Sequence, residues 1–478
     1  MSASWPPDVD LLDVIEPWLR TRRWFPGDDT SELELLENID LSQDSAPAVW
    51  DGSQPLEPVW ISLLRVGTAV LQVPLVLTDT RPVGAAGVID RVAGAWLVDG
   101  PQHPAFLRAW ARRAQCDLGD PDTLTPGILE QAGRAHLLTG EQSNSSVLLP
   151  GPAPRGVLKV FRVIAPGTHP DLEVPLALAR SGWGNVPAPL AHTEVRVPDD
   201  PSSEERRGGP AVSGILARLV EDARDGFQFF VSLATGAEDP TGQARELGAV
   251  TARMHDHLAE IFGRGVPGSG SALADRITGN LRAAAAEVPE LADDLVDRLS
   301  DTVARVADLG ELPPPIRIHG DYHLGQTLLG SEGWFVLDFE GEPLRPLEER
   351  RRHDLALRDV AGMLRSFDYA RAQAGRDPSS APRHPNAATT AEFPPLAPDA
   401  PAPGSGGPTD GRPWCDAAQS AFLDGYTDGH GLGGVNDVLV RALMVEKAAY
   451  ELVYEHRLRP SWISIPLDAL RDLAAEGN

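Results

Sequence analysis

Residues 319–343 read HGDYHLGQTLLGSEGWFVLDFEGEP, and this stretch constrains the fold more than any other part of the chain. Trp334-Phe335-Val336-Leu337 is a short apolar run ending at Asp338, and the turn-forming Gly330-Ser331-Glu332-Gly333 separates it from Thr327-Leu328-Leu329. Two short apolar runs around such a turn predict a hairpin. Gln326 precedes the first run and Asp338 follows the second, so the hairpin carries both on one side of a cleft, with Asp321 on the loop leading in. Two oxygen ligands for a hard cation and one further carboxylate are most of the side-chain inventory that phosphoryl transfer needs, because that chemistry depends on positioning and charge neutralisation. The spacing predicts Asp321 beside an accepting hydroxyl, and Gln326 and Asp338 as ligands of the Mg2+ that screens the phosphates of ATP.

Lysine is nearly absent. The chain has Lys159 and Lys447 against forty arginines. A lysine inside the apolar run Gly156-Val157-Leu158-Lys159-Val160-Phe161 is therefore a candidate for a compact point charge reaching ATP phosphates. Glu173 on a following helix is positioned to orient it, and Asp171 is an equally available partner. Upstream, Thr139-Gly140-Glu141-Gln142-Ser143-Asn144-Ser145-Ser146 precedes the strand-like Val147-Leu148-Leu149. It lacks a glycine repeat, so phosphate binding there would rest on backbone amides, Asn144 and the hydroxyls of Ser143, Ser145 and Ser146.

Composition narrows the partners. With 69 acidic against 42 basic residues, a net charge of −27 makes nucleic acid and anionic membrane surfaces unsuitable partners. ATP then requires a local basic patch inside an acidic shell. Cys116 and Cys415 are too few for a disulfide framework or metal cluster. No signal-peptide pattern and no apolar run of spanning length stands out, so a soluble cytoplasmic protein is expected; a monomer is the default expectation.

The 478 residues divide into three predicted parts. Residues 1–100 hold a helix over Val9 to Arg22 and strand-like runs at Val59–Leu64, Ala69–Thr78 and Gly94–Val98; Trp24 and Phe25 in RRWF read as packing anchors between solvated arginines. Residues 101–219 give a helix, the phosphate-loop hairpin, the Lys159 strand, a helix through Ala179 and a strand from Ser213 to Val220, the order of a small N-lobe. Beyond Glu221-Asp222, residues 220–478 are predominantly helical, with helical periodicity over Leu247–Ile261, Ala272–Ala286 and Leu291–Val306. Residues 374–413 are dominated by Pro, Ala, Gly, Ser and Thr, a composition expected to remain a disordered surface insertion.

All five tyrosines lie beyond His319. On a helix from about Asp437 to Arg457, Glu446, Tyr450, Tyr454 and Arg457 share a face, and Lys447 and Glu451 are neighbours. Rings, hydroxyls and charged donors on one face suit a carbohydrate, with Tyr369 on the preceding helix as a further candidate. Asp359, Arg365 and Asp368 fit either that site or helix packing.

The strings HGDYHLGQTL, VLDFEGEPLRPLEERR, LRDVAGMLRSFDYA and EKAAYELVYEHRLRPSWISIPL, with LKVFR, EQSNSSV and RWFPG, closely resemble the actinobacterial maltokinases of the kinase-like aminoglycoside-phosphotransferase group. The resemblance spans nearly the whole chain. It implies an α+β, bilobal protein-kinase-like fold with an N-terminal cap, a mixed N-lobe and a mostly helical C-lobe. It further implies transfer from ATP, with Mg2+, to the anomeric hydroxyl of maltose, giving maltose 1-phosphate for alpha-glucan and glycogen synthesis. By matching motifs Asp321 is the catalytic aspartate, Gln326 and Asp338 the magnesium ligands, and Lys159 the ATP-phosphate lysine. Gln326 replaces the asparagine of the broader group, and both present an amide oxygen. Two other readings are a related kinase acting on glucosamine or an aminoglycoside, and a non-catalytic partner of trehalose synthase. The second conflicts with an intact set of Lys159, Asp321, Gln326 and Asp338.

Overall fold

The computed structural model describes residues 5–28, 30–46, 57–81, 87–138, 144–151, 154–200, 207–341, 347–375 and 411–475. The phosphate-loop tip 139–143, with Ser143, and most of the Pro-rich stretch lie outside them. The chain forms two compact units, one built on Met1–Leu176 and Pro187–Glu221, the other on Ala177–Val186 and the described residues beyond Glu221.

The first unit opens on α1 (Leu11–Leu19), which Asp10 caps through Leu12 N. Its Leu11, Ile15 and Leu19 recur at helical spacing and bury against a sheet of β1 (Leu33–Asp40), β2 (Val59–Val66), β3 (Ala69–Thr78), β4 (Val88–Val92) and β5 (Ala95–Asp99). The helix stops short of Arg22: the N–H groups of Thr21 and Arg22 donate three residues back, to Trp18 and Leu19, in a tightened last turn, and the Arg20 side chain donates to the carbonyls of Asp28 and Ser31. After α2 (Pro104–Arg113), β6 (Gln115–Cys116), α3 (Pro121–Gln131) and β7 (His136–Leu137) come β8 (Asn144–Leu149), β9 (Gly156–Phe161), β10 (Val163–Ile164), α4 (Pro170–Arg180), β11 (Pro189–Val197) and β12 (Gly209–Arg218). The sheets run β1-β2-β3-β5-β4, with β10 pairing β3, and β6-β11-β12-β9-β8-β7. A continuous core that includes Val76, Phe106, Trp110, Leu158 and Ile215 joins them.

The second unit contains β13 (Arg224–Asp225), α5 (Gly226–Thr235), α6 (Thr241–Phe262), α7 (Gly270–Glu287), α8 (Asp293–Ala304), β14 (Thr327–Gly330), β15 (Gly333–Val336), α9 (Leu347–Arg350), α10 (Leu357–Ala374), α11 (Arg412–Tyr426), α12 (Gly433–Leu458) and α13 (Ser464–Ala475). The predicted hairpin is present: β14 pairs antiparallel with β15 from Thr327↔Val336 to Gly330↔Gly333. It packs through Trp334, which is fully buried and stacks on Phe230 of α5 at 5.7 Å. No helix among the described residues is long and apolar enough to cross a membrane.

Candidate active site

The loop His319-Gly320-Asp321 is fixed from three sides. Asp359 on α10, only 1% exposed, accepts from the backbone N–H groups of His319 (2.9 Å) and Gly320 (3.0 Å). His255 on α6 approaches the same carboxylate at 3.1 Å and Tyr426 at 3.0 Å. Desolvation raises the Asp359 pKa, and the His255 hydrogen bond, nearby imidazoles and backbone donor outweigh it, leaving the value below the ordinary one. His319 Nε2 donates to the carbonyl of Leu337 at 2.7 Å, which ties the loop to the end of β15. Gly320 has φ +87°, a conformation that favours glycine. Gly362 lets α10 pass directly over the loop, since a Cβ there would stand 2.6 Å from the Tyr322 carbonyl. Two residues beyond Asp321, burial and the charge of Lys447 push His323 down to about 3.

Gln326 and Asp338 meet because the hairpin closes between them, with Leu337 N donating to Gln326 O at 2.9 Å. Gln326 Nε2 lies 3.2 Å from Asp338 Oδ2, and its Oε1 is buried with no hydrogen-bond partner. An orphaned amide oxygen beside a carboxylate fits a hard cation: turned end for end, the amide would offer its oxygen toward the same point as Asp338. Asp338 has φ +59°, an uncommon conformation for a residue other than glycine and one that clusters at functional sites.

Lys159 Nζ donates to Asp171 Oδ2 at 2.8 Å, so the ion pair seen is with the partner left open beside Glu173. His169 sets that geometry: its ring packs on Phe161 at 4.1 Å, its Nδ1 accepts from Asp171 N, and its carbonyl accepts from Glu173 N. Asn144, Ser145 and Ser146, expected in a loop, belong to β8, whose ladder with β9 extends to Asn144↔Phe161. The hairpin begins earlier than predicted because these polar residues still supply backbone partners to an apolar strand. Ser145 is buried and its hydroxyl accepts from Arg162.

The expected face of α12 is divided. Tyr450 is 45% exposed, with Lys447 Nζ 5.3 Å from its ring centroid. Tyr454 is half-buried, under the guanidinium of Arg459 at 5.4 Å. Glu446 is drawn inward by Arg358 at 2.9 Å, and Arg457 is spread on Glu287 of α7 at 2.6 and 2.7 Å. Tyr369 is buried, donating to Glu455 at 3.0 Å and stacking on Trp462. Arg365, fully buried, holds Asp368 and Glu451 and so joins α10 to α12. The sequence reading set Lys447 beside Glu451 on this helix and gave it no role at the site, yet its Nζ lies 3.7 Å from Asp321 Oδ1. Being one of two lysines was the available signal.

Comparison with known proteins follows this geometry. The phosphotransferase enzyme family matches residues 134–376. The glucosamine kinase of Streptacidiphilus jiangxiensis is 29% identical over 73% of this chain and 77% of its own length. That of Mycolicibacterium smegmatis is 26% identical over 84% and 96%. Among solved structures, a glucosamine kinase in complex with glucosamine, ADP and inorganic phosphate aligns over 97% of this chain and 99% of its own, with TM-score 0.56 and 23% identity. A second crystal form aligns over 98% and 100%, with TM-score 0.58 and 24% identity. That agreement shows a bilobal, kinase-like α+β fold. Because the family match covers just over half of the sequence and includes Lys159, Asp321, Gln326 and Asp338, the chain belongs to the phosphotransferase enzyme family.

Proposed function

We propose that this phosphotransferase moves the γ-phosphoryl group of ATP to a hydroxyl of a sugar. The observation that carries the reading is the placement of Asp321 on a loop braced by Asp359 and tied by His319 to the strand that ends near Asp338. Asp321 orients the accepting hydroxyl and takes its proton, Lys159 serves the ATP phosphates, and Gln326 and Asp338 hold Mg2+, which when bound neutralises phosphate charge.

For the acceptor, the names of the relatives support glucosamine better than maltose. The charge arrangement supports a neutral sugar. The Lys447 ammonium stands beside Asp321 and above Tyr450, while Glu446, Glu451 and Glu455 are engaged by Arg358, Arg365 and Arg459. A cationic acceptor near Asp321 would be repelled by Lys447 and would find those carboxylates already paired. On this physical argument, and on the likeness of the α12 sequence to maltokinases, our first reading is maltose phosphorylated at its anomeric hydroxyl. Glucosamine is the second. Incubating the protein with ATP, Mg2+ and each of maltose, glucose, glucosamine and an aminoglycoside, followed by phosphorus NMR, separates them. A product phosphorus coupled to the anomeric proton of maltose is expected; turnover of glucosamine alone replaces the first reading with the second, and no transfer to any sugar defeats both.

A further inference from the structure

We infer that Arg162 is a positioning residue for the nucleotide, clamping the start of β8 to the end of β5 and so fixing the strand face that carries Asn144, Ser146 and Lys159. The inference rests on the phosphotransferase reading given above.

Strand alternation supplies the first step. Facing residues of an antiparallel pair share a side of the sheet, and successive residues change sides. Ser146 pairs with Lys159 and Asn144 with Phe161, whereas Ser145 pairs with Val160. Lys159, Ser146, Asn144 and Phe161 therefore share one side; the 5.4 Å separation of Lys159 Nζ from the Phe161 ring centroid agrees. Ser145 and Val160 lie on the opposite side, where both are buried.

Arg162 occupies that buried side. Only 1% exposed, it donates to Ser145 Oγ from Nε at 2.9 Å and Nη2 at 2.7 Å, and to Asp99 from Nη1 at 2.9 Å and Nη2 at 2.5 Å. The Trp24 ring lies 4.7 Å from its guanidinium carbon. Its carbonyl accepts from Gln72 N, and Gln72 Nε2 donates to Phe161 O at 2.8 Å and Ser213 O at 2.9 Å. One guanidinium thus joins the N-terminal segment, through Trp24 and Asp99, to the strand whose other side carries Lys159. A planar, multidentate donor can hold the carboxylate and the hydroxyl together; an ammonium is a single point charge.

Ser145→Ala removes the hydroxyl and little volume, and is the variant of choice because Arg162→Ala would leave Asp99 buried without its cation. ATP KM and nucleotide Kd are expected to rise about tenfold, with sugar KM within about twofold of wild type, since the buried oxygen that accepts both charge-assisted hydrogen bonds from Arg162 is lost. Ser145→Thr, which restores an oxygen on a strand-compatible side chain, should recover most of the affinity. Arg162→Lys should weaken nucleotide binding in the same direction. Unchanged ATP affinity in Ser145→Ala, with a normal circular dichroism spectrum, overturns the inference, as does an equal loss of sugar and nucleotide affinity. If the wild-type protein binds no ATP, it is the phosphotransferase reading that fails.

Discussion

Asp321 faces Lys447 in a loop whose backbone is held by Asp359, so removing its charge should alter the reaction while leaving the loop in place. Asp321→Asn is expected to lower kcat by about 10²–10⁴-fold, with nucleotide affinity within about twofold of wild type. Near-normal turnover would remove the residue from the reaction. Asp225 makes a different test available. It caps α5 through Gln228 N at 2.8 Å, is 6% exposed, and has a second carboxylate oxygen without a partner. Burial raises its pKa from 3.8 to about 6. A raised carboxyl favours the protonated folded state, so its stabilising contribution is complete below pH 3.8 and is lost as pH rises through about 6, a loss of roughly 3 kcal/mol at most. Asp225→Asn retains an acceptor for the cap and never ionises. Its melting temperature should therefore exceed that of wild type by more at pH 7 than at pH 4; a difference independent of pH would contradict the assignment.

Elements differed in how clearly they could be read. The β14–β15 hairpin was legible because its apolar runs are short, bounded by glycine and set off by a turn; α6, α7 and α8 were legible from sustained helical periodicity. Others escaped, among them β1, β11 and α5. The polar face of β1 (LELLENID) and the alternation within β11 (PLAHTEVRV) are spread over mixed residues, and the apolar run GFQFFVSLAT of α5 has no clear period. At the candidate site, local sequence pointed to Asp321, Gln326, Asp338 and Lys159. It could not show that Asp359 anchors the loop or that Lys447 reaches Asp321, because those approaches span 39–40 and 126 positions of chain and exist only after the helices pack. The α10–α12 ion pairs also set an energetic expectation. Arg365→Leu leaves Glu451 and Asp368 without their buried partner, and should cost about 3–5 kcal/mol, readable as a lower urea midpoint. A loss below about 1 kcal/mol would show that water replaces the guanidinium.

At the level of the whole molecule, 69 acidic residues against 42 basic ones give a self-repelling chain of charge −27. Raising NaCl from about 20 to about 200 mM should screen that repulsion and raise the melting temperature by a few degrees. A fall would mean that the Arg–carboxylate pairs outweigh the net charge. With two compact units in one chain, unfolding need not be a single transition, so the comparison belongs to the first calorimetric transition.

The scarcity of lysine has a practical consequence. Lys159 and Lys447 are the only side-chain amines of the sequence, and their side chains are 20% and 27% exposed. One lies with Asp171, where the nucleotide is proposed to bind; the other lies beside Asp321, where the acceptor is proposed to bind. Reductive methylation with carbon-13 formaldehyde would thus give a spectrum with two side-chain resonances, each a native reporter for one substrate. Titrating ATP should move the Lys159 signal and titrating sugar the Lys447 signal, with no engineered label in the protein.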